Sequence, residues 1–176
     1  MRIYITRASC AGVTTFGQNL ATLRGVRHVD VDVFFWMPTN HPFTTKRPAS
    51  ERVSLIQQEF GDKDWVLIGS YMDWGDELIT HVDLIVFVVT ATTVRLNRLA
   101  AREKKRFENR IAPGGDMHEI HVAFRGWASQ CDNPNFSGRN RAWHEAWISE
   151  QTAPVLQIHG VNCAEKMAAD VIHALS

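Results

Sequence analysis

The sequence of 176 residues contains few cysteines and no long hydrophobic run. Its three cysteines are far apart and form no Cys-x-x-Cys pair, so we expect free thiols and no structural zinc site. Nowhere do eighteen apolar residues follow one another, as a transmembrane helix requires, and the first apolar run is too short for a signal peptide. We therefore expect a cytoplasmic protein with no membrane partner.

An excess of charge of either sign is also absent. Nineteen lysines and arginines balance nineteen aspartates and glutamates. Because no overall positive field attracts the chain to a polyanion, we do not expect nucleic acid as a partner, and any anion site must be local. No internal repeat, low-complexity tract or linker divides the sequence. Its length suits one substantial core, which predicts a single domain over residues 1–176.

Short apolar runs rich in valine and isoleucine alternate with segments of helix length. This alternation predicts an α/β fold with a five-stranded parallel sheet and helices on both faces. The predicted strands are residues 2–6, 27–31, 65–68, 84–89 and 155–158, and the predicted helices are residues 14–24, 49–60, 92–110 and 163–175. Thr92, and Asn162 with Glu165 three residues later, indicate helix N-caps. Ligands are expected at the carboxyl ends of the strands.

Two connections are longer than this alternation needs. The segment of about residues 111–150 contains Pro113-Gly114-Gly115, a predicted helix from Asp116 and a polar stretch, so it reads as a helical insertion. Residues 33–48 are rich in turn formers and contain three prolines. Either connection could close over a ligand, and we predict that the insertion is a lid within the single domain.

The segment between the first strand and the first helix partly matches the phosphate-binding pattern G-x-x-x-x-G-K-[ST]. Gly12 and Thr14 fit that pattern, whereas Arg7 replaces its first glycine and Val13 replaces its lysine. The context favours phosphate, because backbone N–H groups and the helix dipole are directed at a ligand there. An ordinary strand-to-helix connection, which also needs small residues, remains the alternative. The predicted loop consists of Ala8, Ser9, Cys10, Ala11, Gly12, Val13, Thr14 and Thr15.

The missing lysine has a measurable cost. A charge pair separated by about 4 Å contributes about 4 kcal/mol at an effective dielectric constant near 20, which approaches a thousandfold in rate or affinity. Arg7, Lys46, Arg47 or an arginine of the lid could supply the charge instead. Within the pattern, Thr14 occupies the position that ligates Mg²⁺.

Nearly the whole chain resembles the adenylate-kinase-like P-loop kinases, most closely the small bacterial proteins named adenylate kinase or DNA topology modulation protein. The resemblance rests on the loop of residues 8–15, Asp30-Val31-Asp32-Val33-Phe34-Phe35-Trp36, Trp65-Val66-Leu67-Ile68-Gly69-Ser70, and residues 83–88 with the arginine-rich helix that follows. It implies a three-layer P-loop NTPase fold with a mobile lid, and ATP and Mg²⁺ as cofactors. It also implies a nucleoside monophosphate or another small hydroxyl compound as acceptor.

Two aspartates follow the second predicted strand. The strand is predicted to run through Val31, so its two-residue period directs Asp30 and Asp32 to one face. Resemblance to small-molecule kinases with an Asp-x-Asp at this place favours Asp32 for orienting the acceptor or for holding Mg²⁺, partly through water. A turn-capping role is the alternative for Asp30 and also for Asp32.

Arginines recur along the helix that follows the fourth strand. Arg95, Arg98 and Arg102 form one stripe at helical spacing, which predicts a solvated face. The end of the helix and the lid differ, because kinases bring guanidinium groups onto the transferred phosphate there. The resemblance therefore implies catalytic roles for Arg106, Arg110, Arg139 and Arg141.

The acceptor side combines aromatic rings with positive charge, which suits a nucleobase carrying a phosphate. A packed loop with exposed basic residues is the alternative. The predicted acceptor-binding residues are Phe35, Trp36, Arg47, Gly69 and Ser70. The leading hypothesis is ATP-dependent phosphoryl transfer from a nucleoside triphosphate to a small-molecule acceptor. The alternative is a nucleotide-binding sensor or regulator with little or no catalysis, because Val13 replaces the lysine.

Overall fold

The computed structural model describes residues 1–71 and 73–175. The strands are β1 (Arg2–Arg7), β2 (Arg27–Asp30), β3 (Trp65–Ile68), β4 (Leu84–Val89) and β5 (Val155–His159). The α-helices are α1 (Val13–Arg24), α2 (Val31–Phe35), α3 (Ala49–Phe60), α4 (Thr92–Phe107), α5 (His118–Ser129), α6 (Arg141–Ser149) and α7 (Ala164–Ala174). Short 3₁₀ turns lie at Asp76–Ile79, Glu108–Ile111 and Gln130–Asp132.

The five strands form one sheet in the order β2-β3-β1-β4-β5. The central strand β1 pairs in parallel with both of its neighbours, so that Ile3 lies opposite Val66 on one side and Leu84 on the other. Because β1, β3 and β4 are flanked by other strands and covered by helices, their side chains are almost all buried. The segments that follow β2 and β3, α2 and the loop from Gly69, both leave the carboxyl edge of this sheet.

Helices cover both faces of the sheet, as side chains of β3 show. Successive side chains of a strand point to opposite faces, so Trp65 and Ile68 lie on different sides. Trp65 stacks on Phe60 of α3, with ring centroids 4.3 Å apart. Ile68 lies against Gly17 of α1, where a Cβ atom would approach Ile68 Cγ2 to 2.4 Å. Helices α1 and α3 therefore pack on opposite faces.

The predicted five-stranded parallel sheet with surrounding helices is confirmed. The main correction concerns β2, which ends at Asp30 instead of continuing through Val31. The Asp30 carboxylate accepts a hydrogen bond from the backbone N–H of Asp32 at 2.9 Å and so begins α2. Two predicted N-caps were wrong by one residue: Ala91 caps α4 and Cys163 caps α7.

The contact pattern divides the chain into two compact units. The first consists of Met1–Arg7, Gly12–Val88 and Thr152–Ser176, and it includes most of the sheet with α1, α2, α3 and α7. The second consists of Ala8–Ala11 and Val89–Gln151, and it includes α4, α5 and α6. That the chain is one domain with a lid insertion stays a prediction. Within residues 1–71 and 73–175, no helix is both long and apolar enough to cross a bilayer.

Candidate active site

The first half of the predicted phosphate loop is packed within the second unit. Cys10 has a φ of 63°, in the left-handed region, so the backbone reverses sharply there. Its side chain is buried with Leu99 of α4 and Ala128 of α5. The Ala11 side chain is completely buried, and its carbonyl accepts a hydrogen bond from Thr90 Oγ1 at 3.3 Å. This half of the loop is therefore held by packing and by a hydrogen bond within its own unit.

The second half of the loop begins α1 in the first unit. Gly12 is the N-cap with a φ of 100°, a conformation that suits glycine, and no side chain caps the helix. The carbonyl of Gly12 accepts the first helical hydrogen bond from Phe16 N at 3.2 Å. The first turn of an uncapped α-helix directs its N–H groups and positive dipole end outward, which favours an anion.

Side chains in the first turn of α1 point in different directions. Thr14 and Thr15 are exposed, so either hydroxyl is accessible to a ligand at the carboxyl edge of β1. Val13 is completely buried in the hydrophobic core. The position that holds lysine in the phosphate-loop pattern therefore serves core packing here.

The start of α2 places two carboxylates close together at the end of β2. Asp30 caps the helix, and burial, followed by repulsion from Asp32, raises the pKa of its carboxyl. Asp32 is exposed in the first helical turn. The argument from a two-residue strand period was wrong, because a helix begins at Val31. The role of Asp32 toward acceptor or Mg²⁺ stays a prediction.

Gly69 lies where β3 closely approaches the start of α2. Its φ is +114°, and a Cβ atom there would come within 2.9 Å of Val31 Cβ. The carbonyl of Gly69 accepts a hydrogen bond from Tyr4 Oη at 3.1 Å. The Tyr4 ring also packs on Tyr71, with ring centroids 4.5 Å apart. Gly69 thus has a packing role in addition to its predicted acceptor role, while Ser70 beside it is half-buried.

Aromatic rings gather in the first unit at the predicted acceptor-binding residues. Phe35 contacts Trp36 edge to face at 4.7 Å, and its centroid lies 6.0 Å from that of Trp74. Lys46 Nζ lies 5.9 Å from the centre of the Phe35 ring. A short antiparallel bridge between Trp36 and Lys46 holds this connection. We name Phe35, Trp36, Trp74, Lys46 and Arg52 the aromatic-basic cluster.

Arg52 is the member of this cluster that the sequence analysis missed. Its guanidinium lies 4.0 Å from the centre of the Phe35 ring and 4.9 Å from that of Trp74. Arg52 Nε donates to the carbonyl of Arg47 at 2.6 Å, and burial lowers the pKa of the group. The predicted Arg47 is engaged elsewhere: its side chain donates to the carbonyl of Phe34 and pairs with Glu51. An arginine one helical turn into α3 gave no sequence signal that separates it from a surface residue.

The four predicted catalytic arginines all lie in the second unit. Arg110 pairs with Asp116 through two nitrogens, which raises the pKa of its guanidinium, and Arg141 pairs with Glu145 at 2.7 Å. Arg139 lies over the Trp127 ring at 5.3 Å. Arg106 at the end of α4 is exposed and lies 5.9 Å from the Phe107 ring centre. Their catalytic roles stay predictions.

Two arginines of α4 contact the loop, contrary to the predicted solvated stripe. Arg95 is 1% exposed, and Arg98 donates to the carbonyl of Ala11 at 3.1 Å. Only Arg102 of the three is exposed. The prediction was wrong for Arg95 because periodicity identifies which residues share a face but not what covers that face.

Comparisons with known proteins agree with this architecture. A shikimate kinase from Aquifex aeolicus aligns with a TM-score of 0.52 at 15% identity, covering 99% of this chain and 96% of that one. A sugar kinase from a Janibacter species gives 0.55 at 13% identity over 99% and 93%. A gluconokinase from Sinorhizobium meliloti gives 0.54 at 11% identity over 99% and 90%. No family model matches the chain.

The strand order, the loop after β1 and the surrounding helices define the P-loop kinase fold. At the level of sequence, the chain is 36% identical over 157 residues to the uncharacterized protein YqaC of Bacillus subtilis, covering 89% of this chain and 86% of that protein. The chain belongs to the family of YqaC.

Proposed function

We propose that the protein transfers a phosphoryl group from ATP to a small hydroxyl acceptor. The observation that carries this proposal is the uncapped N-terminus of α1, which begins at a left-handed glycine directly after the loop that leaves the central strand. That arrangement suits phosphate oxygens, which need several converging N–H donors. The structural neighbours named as shikimate kinase, sugar kinase and gluconokinase support a small hydroxyl compound as acceptor class.

The first unit offers groups for the metal and the acceptor. ATP phosphates would bind at the loop of residues 8–15, where the exposed hydroxyl of Thr14 at the start of α1 would hold Mg²⁺. Asp32, exposed at the start of α2, would orient the acceptor hydroxyl and accept its proton, with a further contact to Mg²⁺ through water. Bound Mg²⁺ would neutralise charge on the phosphates, while the protein groups supply positioning.

The aromatic-basic cluster supports an acceptor that carries an anionic group. Arg52 is 8% exposed and its planar fork contacts two rings, so little conformational freedom is lost when it binds an oxyanion. Phe35 and Trp36 add surface for a planar or apolar moiety. A nucleoside monophosphate, as in adenylate-kinase-like enzymes, satisfies both requirements, and a small carboxylate with a hydroxyl group satisfies the first.

The lid arginines would act on the transferred phosphate. Arg106, Arg110, Arg139 and Arg141 would contribute to this step. For Arg110 and Arg141 it requires exchange of their partners Asp116 and Glu145 for phosphate oxygens. Such an exchange requires little energy at the surface, because water and salt already screen exposed ion pairs.

The test is calorimetric titration with ATP, with and without Mg²⁺, on the wild type and Thr14→Ala. We expect micromolar binding that depends on Mg²⁺ and weakens about tenfold or more in T14A. Thr15→Ala is the matched control, because its hydroxyl is also exposed but lies one residue beyond the metal position. Binding would then justify a screen for acceptor-dependent ADP release across nucleoside monophosphates and small hydroxy acids. No detectable binding at millimolar ATP would refute the proposal.

The buried Val13 favours one alternative, a nucleotide-binding sensor or regulator without efficient transfer. It predicts ATP binding that is sensitive to Thr14, but no ADP release with any acceptor. The comparison of binding with turnover therefore separates the two functions.

A further inference from the structure

Arg95 is a buried cation whose every nitrogen is engaged within the second unit. Its Nε donates to the carbonyl of Thr90 at 3.1 Å, and its Nη2 donates to Thr92 Oγ1 at 2.6 Å. Its Nη1 lies 3.4 Å from the carbonyl oxygens of both Ser9 and Ala128. Asp132 lies 3.5 Å from Nη2 and supplies the counter-charge.

Arg98, one helical turn later, holds a second carbonyl of the loop. Its Nη1 donates to Ala11 O at 3.1 Å, and Thr90 Oγ1 donates to the same oxygen at 3.3 Å. The two guanidinium groups thus bind alternate carbonyls of the segment Ser9-Cys10-Ala11. Between them, Cys10 has its left-handed φ and packs against Leu99 and Ala128.

This arrangement determines where the loop N–H groups point. In a planar trans peptide the C=O and N–H bonds point in opposite directions. A Ser9 carbonyl that faces Arg95 therefore turns the N–H of Cys10 away from Arg95, and an Ala11 carbonyl that faces Arg98 turns the next N–H of the chain away from α4. Alternation of right-handed and left-handed residues with N–H groups on one side forms an anion-binding concavity.

We propose that Arg95 and Arg98 are positioning residues that hold the phosphate loop in its anion-binding conformation. They also bring to the loop the positive charge that is missing because valine, not lysine, stands at position 13. The proposal rests on phosphate binding by this loop, as proposed above. In place of a lysine that reaches the phosphates from the loop itself, two arginines act on the loop backbone from α4. When the carbonyl of a peptide group accepts a hydrogen bond from a guanidinium, the N–H of the same peptide group becomes a stronger donor, because hydrogen bonds in a chain polarise one another.

The test compares Arg98→Met and Arg95→Lys with Arg102→Met. Arg102 lies on the same helix, is exposed and pairs with Glu103, so it is the matched control. The first readout does not require ATP: the rate of iodoacetamide alkylation at each cysteine, measured by peptide mass spectrometry. The alkylation rate of Cys10 measures exposure of the loop, and that of the buried Cys131 measures unfolding of the second unit. The exposed Cys163 serves as a control for the activity of the reagent.

We expect Cys10 to be alkylated at least about tenfold faster in R98M than in the wild type, as loss of a charged hydrogen bond implies. The alkylation rate of Cys131 should stay unchanged. The second readout is calorimetric: R98M and R95K should bind ATP with Mg²⁺ about tenfold more weakly, and R102M should bind as the wild type does. R95K could also release Ala128 and so expose Cys131, and R98M keeps the test decisive in that case.

Each result bears on a different statement. If Cys10 reacts equally fast in the wild type, R98M and R95K, the arginines do not hold the loop and the inference is wrong. If Cys10 becomes reactive but ATP affinity is unchanged, the loop conformation does not support phosphate and the inference is again wrong. If the wild type itself binds no ATP, the proposed function is wrong and the inference is wrong with it. Faster alkylation of Cys10 in R98M would then show only that Arg98 supports the structure of the loop.

Discussion

The contact between α1 and β3 gives a quantitative prediction about how the loop-bearing helix is positioned. A Cβ atom at Gly17 would lie 2.4 Å from Ile68 Cγ2 and 3.3 Å from His28 Nε2. Ile68 is 1% exposed on the central part of the sheet, so it has no space into which to move. Gly17→Ala must therefore displace α1 from the sheet or force Ile68 out of its rotamer.

The magnitude follows from two opposing effects. Alanine in place of glycine stabilises a helix interior by about 1 kcal/mol, whereas overpacking of a core costs about 1–3 kcal/mol. The control is Gly126→Ala in α5, where nothing lies within 4 Å of the added Cβ atom and only the favourable effect applies. We expect G126A to raise the free energy of unfolding by up to about 1 kcal/mol and G17A to lie about 1–3 kcal/mol below G126A.

Urea denaturation followed by circular dichroism measures these differences. Ile68→Ala alone should cost about 2–5 kcal/mol, and in that background G17A should stabilise as G126A does, because the clashing methyl group is gone. If G17A instead stabilises the wild type as much as G126A does, α1 does not lie at the described distance from β3, and the packing argument is refuted.

Three further predictions concern single residues. Val13→Lys should lower the free energy of unfolding by about 1.5–3 kcal/mol, because it replaces a completely buried side chain. Calorimetry should find that this substitution raises ATP affinity by less than about threefold, because α4 already supplies positive charge to the loop. A hundredfold gain in affinity would contradict this. Asp30→Asn keeps an acceptor for the helix cap but removes a carboxyl group whose pKa is raised in the folded protein, so that ionisation of this group destabilises the fold. The stability of D30N relative to the wild type should therefore increase as the pH rises above the ordinary aspartate pKa of 3.8, as measured by urea denaturation between acidic and neutral pH. A difference in stability that does not change with pH would refute the assignment. Arg52→Met should weaken binding of anionic acceptors about tenfold or more while leaving ATP affinity unchanged, and equal losses for both ligands would indicate misfolding instead.

The sequence was sufficient to predict the sheet, because buried parallel strands read as continuous apolar runs and their helices repeat at regular distances. The bounds of α3, β3 and β4 agree with the prediction residue for residue. Where β2 ends was predicted wrongly, since a side-chain hydrogen bond of Asp30 begins a helix that propensity alone does not indicate.

The environment of the arginines was the least predictable part of the candidate site. Arg95, Arg98 and Arg102 lie on one helical stripe, but their exposure ranges from 1% for Arg95 to 42% for the Arg102 side chain. What separates them is contact with residues about 80 to 90 positions earlier in the chain, such as Ser9 and Ala11. Such tertiary contacts leave no trace in local periodicity, and the same holds for the two rings that Arg52 contacts.

The close approach of Gly69 to Val31 determines which positions are open to substitution. Selection for folded protein from a library randomised at position 69 should return glycine, since any side chain there meets Val31 and a left-handed backbone. On the outer side of the same short helix, Val33 is 69% exposed and has no such constraint. Diversification of acceptor preference among relatives should therefore be concentrated on the outer face of α2 and in the connection that follows, while the strand end beneath it stays unchanged.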